Sequence, residues 1–557
     1  MATAQNTESQ KHRKSKGIHY TPEHLANFLA RRLWANAEAT FSNTDRPLRV
    51  LDPACGDGAL LVALASLFPD REFVAIGFDT DSQAVERTKA SLSNFRNCEI
   101  QIQHCDFLEF ALSGSPATFD IAITNPPYVR TQVLGQQHSQ RLADQFGLTG
   151  RVDLYQAFLF AITNVLTGVG WIGALTSNRF LYTQAGKSTR EMLLQNYRIA
   201  ALYDLGDTRL FDAAVLPAIM IATKSPTTDI EPTFLRIEQS SGEELTESAI
   251  SFFEAIENAT EGCQESFQHD NIRYRVDSGH LKIEDDQTWR LENFQSEAWL
   301  KQISQTQQAT IGDIAEVKVG IKTTADKVFI RDDWDTLPES MRPEESLLRP
   351  LITHKVAQRF IAATVATQVL YPYENESTRI PVSLNSFPRG SAYLKQHIER
   401  LSSRKYVVDA GREWFEIWVP HRATDWQADK VVWPDISVEP RFFLDTTGSV
   451  VNGDCYWIKL RPGQPSDLLH LILAVANSRV AVRFYDYRFH NKLYGRRRRF
   501  MTQYVKQFPL PDPNLPVSRK IIQVVKQILI SKTPGERDRL EKQIDELVHQ
   551  AFGLVGG

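Results

Sequence analysis

The stretch LRVLDPACGDGALL, from Leu48 to Leu61, joins a short apolar run to a run of helical periodicity through a turn that contains two glycines. The apolar run predicts a buried strand, and the run that follows the turn predicts a helix. Gly56 and Gly58 have no side chains, so the backbone of this turn can approach a ligand closely. The stretch therefore predicts a strand, a ligand-binding turn and a helix, as in an α/β fold.

The same alternation of apolar runs and helical stretches continues as far as residue 224. Runs that are apolar almost throughout and are separated by helices favour a mostly parallel sheet that is covered on both faces. Ligands of such sheets bind beyond the carboxyl ends of the strands. Those predicted ends carry Asp52, Asp79, Asp106 and Asn125. The predicted strands are LRVLD, FVAIGFD, IQIQHCD, FDIAITN, WIGALTS, IAALYDL and AIMIATK.

Length and composition indicate a globular protein with more than one domain. The chain has 557 residues, of which 42% are hydrophobic and 23% are charged. Its five cysteines form no CxxC pair and do not cluster with histidines, so we expect neither disulfides nor a structural metal. No apolar run reaches the roughly 18 residues of a membrane helix, and the polar start does not resemble a secretory signal. We therefore expect a cytoplasmic protein that binds no membrane.

The predicted ligand at the glycine turn is cationic. The turn has neither the full three-glycine dinucleotide pattern nor the Lys-Ser/Thr pair of a phosphate loop. Carboxylates at the same predicted rim would repel a polyphosphate and attract a cation. They belong to Asp52, Asp57, Asp79 and Asp106. S-adenosylmethionine, which carries a sulfonium and an ammonium group, is a ligand of this kind, and we expect it to be the cofactor.

Two of these carboxylates have specific expected roles. Asp79 ends the second strand, where a carboxylate can accept hydrogen bonds from both ribose hydroxyls. Asp106 ends the third apolar run and is placed to accept a hydrogen bond from the adenine amine, with Phe107 against the ring. The alternative is that acidic residues at strand ends only cap helices or turns. The ordered set of carboxylates, more than any one of them, favours a cofactor site.

The order of the motifs resembles the N6-adenine DNA methyltransferases of restriction-modification systems, of the TaqI-like type with a target recognition domain after the catalytic domain. The resemblance extends from Gly17 to the C-terminus. Each motif alone is weak, but their joint order is specific. In chain order the motifs are GIHYTP, DPACGDGALL, GFDTD, CDFLEF, NPPY, DLYQAF, GWIGALTSNRFL and FPLPDP.

The resemblance implies a Rossmann-like S-adenosylmethionine-dependent methyltransferase domain, an irregular α+β target recognition domain and C-terminal helices. It implies that Tyr20 and Thr21 contact the methionine end of the cofactor, and that Asp52, Ala54 and Gly56 lie along it. The implied partner is double-stranded DNA, with a separately encoded restriction endonuclease acting at the same site. We expect the protein to act as a monomer.

Composition suggests where the domains begin and end. Between Glu238 and Glu297 there are 15 acidic residues and 4 basic residues, which is typical of a connector and unsuited to nucleic acid. The region from about Ile311 is rich in β-branched and aromatic residues. The predicted parts are a disordered basic tail at 1–16, a catalytic domain at 17–235, an acid-rich connector or insertion at 236–309, a target recognition domain at 310–512 and C-terminal helices at 513–557.

The NPPY motif, Asn125 to Tyr128, ends the fourth predicted strand because proline cannot extend a hydrogen-bonded ladder. Adenine's exocyclic amine is a poor nucleophile, since its lone pair is delocalised into the ring. The side-chain oxygen of Asn125 and the rigid carbonyl of Pro126 are predicted to accept the amine hydrogens and so localise that lone pair. Tyr128 is predicted to stack on an adenine that has been flipped out of the duplex. No step requires a metal.

Two other functions remain open at this stage. Enzymes that methylate protein glutamine amides or exocyclic amines in RNA use a similar NPPY-type stretch. The stretch DIAEVK, Asp313 to Lys318, contains the Glu-x-Lys of a nuclease site, although no suitably placed Pro-Asp precedes it. The alternatives are therefore a methyltransferase for RNA or protein, and a combined restriction-modification enzyme.

A second aromatic that would sandwich the flipped base has no clear assignment. The resemblance implies an aromatic residue late in the catalytic domain, and Thr223 stands where we expect it, in IATKSP. Phe211 and Phe180 are alternatives for this role, which the sequence leaves unassigned.

A basic segment near the C-terminus is predicted to contact DNA phosphates. Between Arg479 and Lys506 there are 9 Lys or Arg residues and one Asp, interleaved with 7 Phe or Tyr. The alternative is a solvated basic helix face. The residues assigned to phosphate contact are Lys492, Arg496, Arg497, Arg498 and Arg499. Four further basic residues lie in segments that resemble recognition loops: Lys318, Lys322, Lys355 and Arg404.

Overall fold

In a computed structural model of the protein, the chain forms two compact units. One contains Met1–Glu297 with Leu493–Arg496, and the other contains Ala298–Lys492 with Arg497–Gly557. The structure describes residues 20–114, 118–128, 136–147, 153–208, 216–226, 232–239, 252–259, 264–269, 271–283, 289–374, 379–489, 492–493 and 497–554.

The first unit is an α/β fold, and all seven strands predicted between residues 48 and 224 are present. The strands are β1 (Leu48–Asp52), β2 (Phe73–Asp79), β3 (Cys98–His104), β4 (Phe119–Thr124), β5 (Leu166–Ser177), β6 (Arg198–Asp204), β7 (Pro217–Thr223), β8 (Thr233–Gln239), β9 (Gln264–His269), β10 (Ile272–Ile283) and β11 (Trp289–Glu292). The helices are α1 (Glu23–Phe41), α2 (Ala59–Ala65), α3 (Ser82–Leu92), α4 (Phe107–Leu112), α5 (Gln136–Phe146), α6 (Leu154–Val165), α7 (Arg179–Tyr182), α8 (Lys187–Asn196) and α9 (Phe252–Asn258), with a 3-10 turn at Gln184–Gly186.

The strands join in one large sheet, in the order β11-β10-β8-β6-β7-β5-β4-β1-β2-β3, with β9 paired to β10. Strands β1 to β5 are parallel, and β7 runs antiparallel between β5 and β6. Two apolar cores cover its faces, one containing α1 and α2 and the other containing α6 and α8. The carboxyl ends of β1 to β6 therefore lie at one edge of the sheet, here called the carboxyl edge, and β7 begins there.

Strands from the region predicted as an acid-rich connector or insertion, 236–309, belong to this sheet. Strand β8 pairs in parallel with β6, and β10 pairs in antiparallel with β8. Along β10 the buried Tyr274 and Val276 alternate with partly exposed charged residues such as Arg275 and Asp277. Charged residues are compatible with these strands, because alternate residues of a strand face opposite sides and one side here is partly exposed.

The chain from Phe294 onward has many short elements. The strands are β12 (Ala309–Thr310), β13 (Ala315–Val319), β14 (Ile330–Arg331), β15 (Leu348–Ile352), β16 (Gln368–Leu370), β17 (Lys430–Pro434), β18 (Ile436–Ser437), β19 (Phe443–Asp445), β20 (Val450–Val451), β21 (Cys455–Leu460), β22 (Lys492–Leu493), β23 (Arg497–Arg499) and β24 (Pro509–Leu510). The helices are α10 (Phe294–Thr306), α11 (Ile311–Ile314), α12 (Asp326–Phe329), α13 (Pro388–Gln396), α14 (Ile398–Ser402), α15 (Lys405–Val408), α16 (Ala423–Gln427), α17 (Leu468–Asn477), α18 (Arg479–Phe489), α19 (Thr502–Val505), α20 (Pro516–Ile530) and α21 (Pro534–Ala551). Short 3-10 turns occur at Trp334–Thr336, Glu339–Met341, Glu345–Leu347 and Leu384–Ser386.

The second unit is an irregular α+β fold, as predicted from its many β-branched and aromatic residues. Strands β13, β21, β17 and β19 form an antiparallel sheet that shares a core with α17. The two C-terminal helices pack on each other and on that core, so residues 516–551 belong to the same unit. Among the described residues no single helix is long and apolar enough to cross a membrane, and one bent pair, α17 with α18, meets that test by length and composition only.

Candidate functional site

The glycine turn after β1 is attached to the end of β2. Gly56 has a φ of 56°, in the left-handed region that favours glycine. Its N–H donates to Asp79 Oδ2 at 2.9 Å, and Cys55 N–H donates to Phe78 O at 2.9 Å. Asp79 Oδ1 accepts a second backbone hydrogen bond, from Asp81 N–H at 2.8 Å. Asp79 thereby orients the turn, and each of its oxygens keeps a second lone pair for a ligand.

Tyr20, predicted to contact the methionine end of the cofactor, lies against this turn. A Cβ on Gly56 would be 3.3 Å from Cδ1 and Cε1 of the Tyr20 ring, so the absence of a side chain lets the ring approach. The Tyr20 hydroxyl accepts a hydrogen bond from Arg87 at 2.7 Å. Arg87, on α3, was not predicted from the sequence, because only the fold brings α3 beside Tyr20.

Asp52 is a buried carboxyl at the end of β1, with 1% of its surface exposed. Its Oδ1 accepts a hydrogen bond from Ala54 N–H at 3.2 Å. Burial, followed by the negative charges of Asp79 and Asp57, raises the pKa of Asp52 to about 8, against the lowering effect of the Ala54 hydrogen bond. The carboxyl therefore keeps its proton at neutral pH, and a cation bound beside it would favour the ionised form.

Asp106 and Phe107 have structural roles in addition to any ligand contact. Asp106 Oδ1 accepts the Leu108 N–H at 2.8 Å and caps α4, which is the capping role considered above. Phe107 is 1% exposed, with its ring centroid 5.5 Å from that of Phe78 and 5.9 Å from that of Phe158. Contacts of these two residues with an adenine ring remain predictions.

Asn125 lies at the carboxyl edge, directly after β4. Its Nδ2 donates to Thr21 Oγ1 at 3.0 Å. The Tyr128 hydroxyl lies 2.8 Å from Asn125 Oδ1 and 3.1 Å from Leu175 O, and can donate to either. Pro126 is buried, while Asn125 and Tyr128 are half-buried. The side-chain amide of Asn125 is thus fixed in orientation by contacts on both sides.

Two consecutive residues connect this amide to the glycine turn. Tyr20 packs on Gly56 of the turn, and Thr21 bonds to Asn125. Adjacent Cα atoms are about 3.8 Å apart, so the turn and the NPPY segment are immediate neighbours. A ligand along the turn would therefore adjoin one held by Asn125.

The expected position of a second aromatic at Thr223 is wrong. Because β7 is antiparallel, its last residue, Thr223, pairs with Trp171 and Arg198 at the opposite edge of the sheet. Phe180 is fully buried and packs on Trp289 at 5.9 Å, so it is unavailable to a base. Phe211 lies outside the described residues.

Asp204 is a buried carboxylate at the carboxyl edge that the sequence analysis did not single out. It ends β6 and accepts hydrogen bonds from Asn178 Nδ2 at 3.0 Å, Tyr182 Oη at 2.5 Å and Gly206 N–H at 3.2 Å. These bonds join the segments that follow β5 and β6. The sequence could have indicated Asp204, because it lies near the end of the predicted strand IAALYDL, as Asp79 lies at the end of FVAIGFD.

The basic segment of residues 479–506 is largely part of the second unit's structure. Arg498 is 8% exposed, bonds to both oxygens of Asp486 at 2.7 Å and donates to Val438 O at 2.8 Å. Arg499 makes a two-pronged ion pair with Asp435. Arg497 is exposed, Arg496 lies outside the described residues, and the Lys492 side chain is not described. The interleaved aromatics Phe484, Tyr485, Phe500 and Tyr504 are buried in the core.

Arg498→Ala is expected to lower the free energy of unfolding by about 3 kcal/mol, because it removes both hydrogen bonds that the guanidinium donates to Asp486 in a largely buried site. Arg479→Ala is the matched control. Arg479 is 78% exposed and lies 3.5 Å from Asp545, an exposed type of pair that contributes less than about 1 kcal/mol. Urea unfolding of both variants measures the difference, and equal effects would contradict the assignment of Arg498 to the fold.

The four basic residues of the predicted recognition loops differ in environment. Lys318 pairs with Glu316 at 2.8 Å and Asp425 at 3.3 Å, and Lys459 also pairs with both carboxylates. The Glu-x-Lys stretch is therefore part of a neutral ion-pair cluster. Arg404 is buried and donates to backbone carbonyls. Lys322 and Lys355 are exposed.

Comparison with known proteins identifies close similarities along the whole chain. Residues 74–211 match the family model described as Eco57I restriction-modification methylase. The chain is 37% identical to the type II methyltransferase M.BanIII of Aneurinibacillus aneurinilyticus over 568 residues, covering 97% of each chain. It is 24% identical to M.BstVI of Geobacillus stearothermophilus, covering 74% of this chain and 71% of that relative.

A solved structure shares the fold across both units. It is a nuclease-deletion mutant of the Type ISP restriction-modification enzyme LlaGI in complex with a DNA substrate mimic, with a TM-score of 0.51 and 12% identity. The match covers 92% of this chain and 54% of that one.

Proposed function

This chain belongs to the type II methyltransferases of restriction-modification systems, and we propose that it transfers a methyl group from S-adenosylmethionine to N6 of a flipped adenine in duplex DNA. The observation that carries the proposal is the contact of Tyr20 with Gly56 and of Thr21 with Asn125. Because Tyr20 and Thr21 are consecutive, the glycine turn that would hold the cofactor lies next to Asn125 and Pro126, which would accept the target amine. Methyl transfer requires this proximity of donor and acceptor.

The residues at the carboxyl edge fit S-adenosylmethionine. Asp79 would accept the ribose hydroxyls while it holds Gly56, and Asp106 would accept the adenine amine. Tyr20 and Thr21 would contact the methionine end of the cofactor, and Asp52 and Ala54 would lie along it. When bound, the cofactor supplies an electrophilic methyl group on a positively charged sulfur, which the acidic rim stabilises.

Asn125 and Pro126 prepare the target amine. Asn125 Oδ1 would exchange the Tyr128 hydroxyl, now 2.8 Å away, for one amine hydrogen, and Pro126 O would accept the other. Leu175 O, 3.1 Å from the hydroxyl, remains its alternative acceptor. Because these acceptors are already oriented, little reorganisation accompanies transfer. Tyr128 would stack on the base and offset part of the few kcal/mol that flipping costs.

The target sequence is assigned to the second unit, which contains most of the predicted recognition domain. We propose phosphate contacts for Lys492, Arg496 and Arg497, while Arg498 stabilises the fold through Asp486. A separately encoded endonuclease acting at the same sequence is the proposed partner, and we propose that the enzyme acts as a monomer.

The affinity for S-adenosylmethionine is expected to rise as the pH increases from about 6.5 to 9. Asp52 has a pKa of about 8, raised mainly by burial, and the cationic cofactor binds better to the ionised carboxylate. Calorimetric titration across this range measures the slope, and Asp52→Asn should flatten it. An identical slope in this variant would assign the titration to another group.

Without the cofactor, the free energy of unfolding should change with pH in the opposite direction: it should fall as the pH rises. A raised folded-state pKa means that the Asp52 proton stabilises the fold most below the unfolded value of about 4. That contribution is lost as the pH rises through about 8. Urea unfolding at pH 5 and pH 8 should therefore show a smaller difference in Asp52→Asn than in the natural protein.

Mass spectrometry of nucleosides tests the proposed function. The purified chain, incubated with S-adenosylmethionine, EDTA and duplex DNA, is expected to produce N6-methyladenine. Only methylcytosine, or methylation of RNA or protein but not DNA, would overturn the proposal. A parallel incubation of plasmid with Mg²⁺ tests cleavage, and intact plasmid is expected because Lys318 and Lys459 neutralise the carboxylates of Glu316 and Asp425.

A further inference from the structure

Residues 320–324, here called the Lys322 loop, are held by hydrogen bonds from two other segments. Ile321 N–H donates to Val451 O at 2.7 Å, and Gly320 N–H donates to Cys455 O at 2.9 Å. Lys322 and Val419 exchange both of their backbone hydrogen bonds, each at 3.1 Å. A Cβ on Gly320 would clash with Asn452 O, so the segments cross at backbone contact. The position of the Lys322 backbone is therefore fixed.

The far end of the same loop has a strained backbone that a buried arginine supports. Thr324 has a φ of 58°, which is unfavourable for a β-branched residue. The guanidinium of Arg404 donates to Thr323 O at 2.9 Å and Trp414 O at 2.7 Å, and lies 3.3 Å from Thr324 Oγ1. Strain of this kind persists only where the surroundings impose it, and it often occurs at ligand-binding loops.

The loop presents one charged side chain to solvent. Lys322 is exposed, and its ammonium group makes no ion pair with any residue that the structure describes. The segment that pairs with Lys322 carries Trp418 directly before Val419, and the exposed Tyr406 packs edge-on to Trp418 with ring centroids 5.1 Å apart. The Arg412 guanidinium covers Trp418 at 5.0 Å. An exposed lysine whose backbone is fixed suits a negatively charged partner.

We propose that Lys322 reads a guanine of the recognised sequence in the major groove of duplex DNA. Its ammonium would donate to O6 and N7 of the base, a pattern that distinguishes a G·C pair from the other pairs. A phosphate contact needs only charge, which a lysine on any loop supplies, whereas a base contact needs the defined position that the loop provides. This inference rests on the proposed function and assigns one of its specificity-determining residues.

The test compares Lys322→Met with Lys355→Met, which removes another exposed lysine of the same unit. Long-read sequencing of DNA from cells that express the natural chain first identifies the methylated motif. Affinities are then measured for a duplex with that motif and for one with the motif scrambled. Lys322→Met should lower affinity for the first duplex roughly tenfold or more, leave the second within about twofold, and relax the methylated motif at one G·C pair.

Other results would overturn the inference. Equal losses on both duplexes would make Lys322 a phosphate contact. The same pattern in Lys355→Met would show that loss of any exposed lysine of this unit produces it, and would remove the assignment from Lys322. An unchanged motif in both Lys322→Met and Lys322→Arg would remove it from base reading. Cofactor affinity and melting temperature, which an exposed lysine should not affect, show that the variants are folded. Failure of the natural chain to methylate adenine in the same cells would instead overturn the proposed function.

Discussion

Asn125→Ala is expected to reduce methyl transfer roughly a thousandfold while affinity for S-adenosylmethionine stays within about threefold. The variant removes the acceptor that would localise the amine lone pair, and loss of one oriented hydrogen-bonding group at a reacting centre costs about 10²–10³ in rate. The backbone carbonyl of Pro126 remains, which accounts for residual activity. Single-turnover kinetics with saturating DNA and calorimetric titration of the cofactor measure the two quantities separately.

Thr21→Val is the matched control for this prediction. It removes the hydrogen bond to Asn125 Nδ2, which is 3.0 Å long, but keeps the Asn125 oxygen. The rate should fall by about fivefold, the effect of a misoriented amide, since one neutral hydrogen bond contributes about 1 kcal/mol. Equal losses of rate in the two variants, or a parallel loss of cofactor affinity in Asn125→Ala, would contradict the role of the Asn125 oxygen.

Asp79→Ala is expected to weaken binding of S-adenosylmethionine by about a hundredfold or more. Asp79 holds the N–H of Gly56 at 2.9 Å and that of Asp81 at 2.8 Å, and we expect it to accept the ribose hydroxyls as well. Hydrogen bonds to a charged group contribute about 1.5–3 kcal/mol each, so loss of the ribose contacts and of the turn's orientation reaches this size. Calorimetric titration measures the change.

Asp81→Ala separates ligand binding from local helix stability. Asp81 is two residues away and caps α3 by accepting the Gln83 N–H at 2.9 Å. Its replacement should lower the free energy of unfolding by about 1 kcal/mol and leave cofactor affinity within about threefold. A comparable loss of affinity in both variants would mean that Asp79 acts only through the local fold.

Local patterns were sufficient for seven strands of the first unit and for the two C-terminal helices. The apolar runs predicted β1 to β7, because strands buried on both faces must be apolar almost throughout. The C-terminal helices at 516–530 and 534–551 agree with the amphipathic periodicity of their sequences. Asp79 and Asn125 were identified correctly as strand-end residues, since parallel strands place their carboxyl ends at one edge.

Chain direction within the sheet could not be read from the same patterns. Thr223 ends an apolar run just as Asn125 follows one, yet β7 is antiparallel and carries Thr223 to the opposite edge. Strands β8 to β11 were read as part of a connector or insertion, because the pairing of β10 with β8 joins segments that are far apart in the sequence.

The sequence by itself determined the α/β elements, the order of the strand-end residues and the membership of a methyltransferase family. Only the tertiary structure decided which charges are available to a ligand. The sequence does not distinguish Arg498, Arg404 and Lys322 as candidates for DNA contact. In the structure Arg498 pairs with Asp486, and Arg404 donates to buried backbone carbonyls. Those partners come from residues up to 81 positions away along the chain, and a charge is available only when folding brings it no partner.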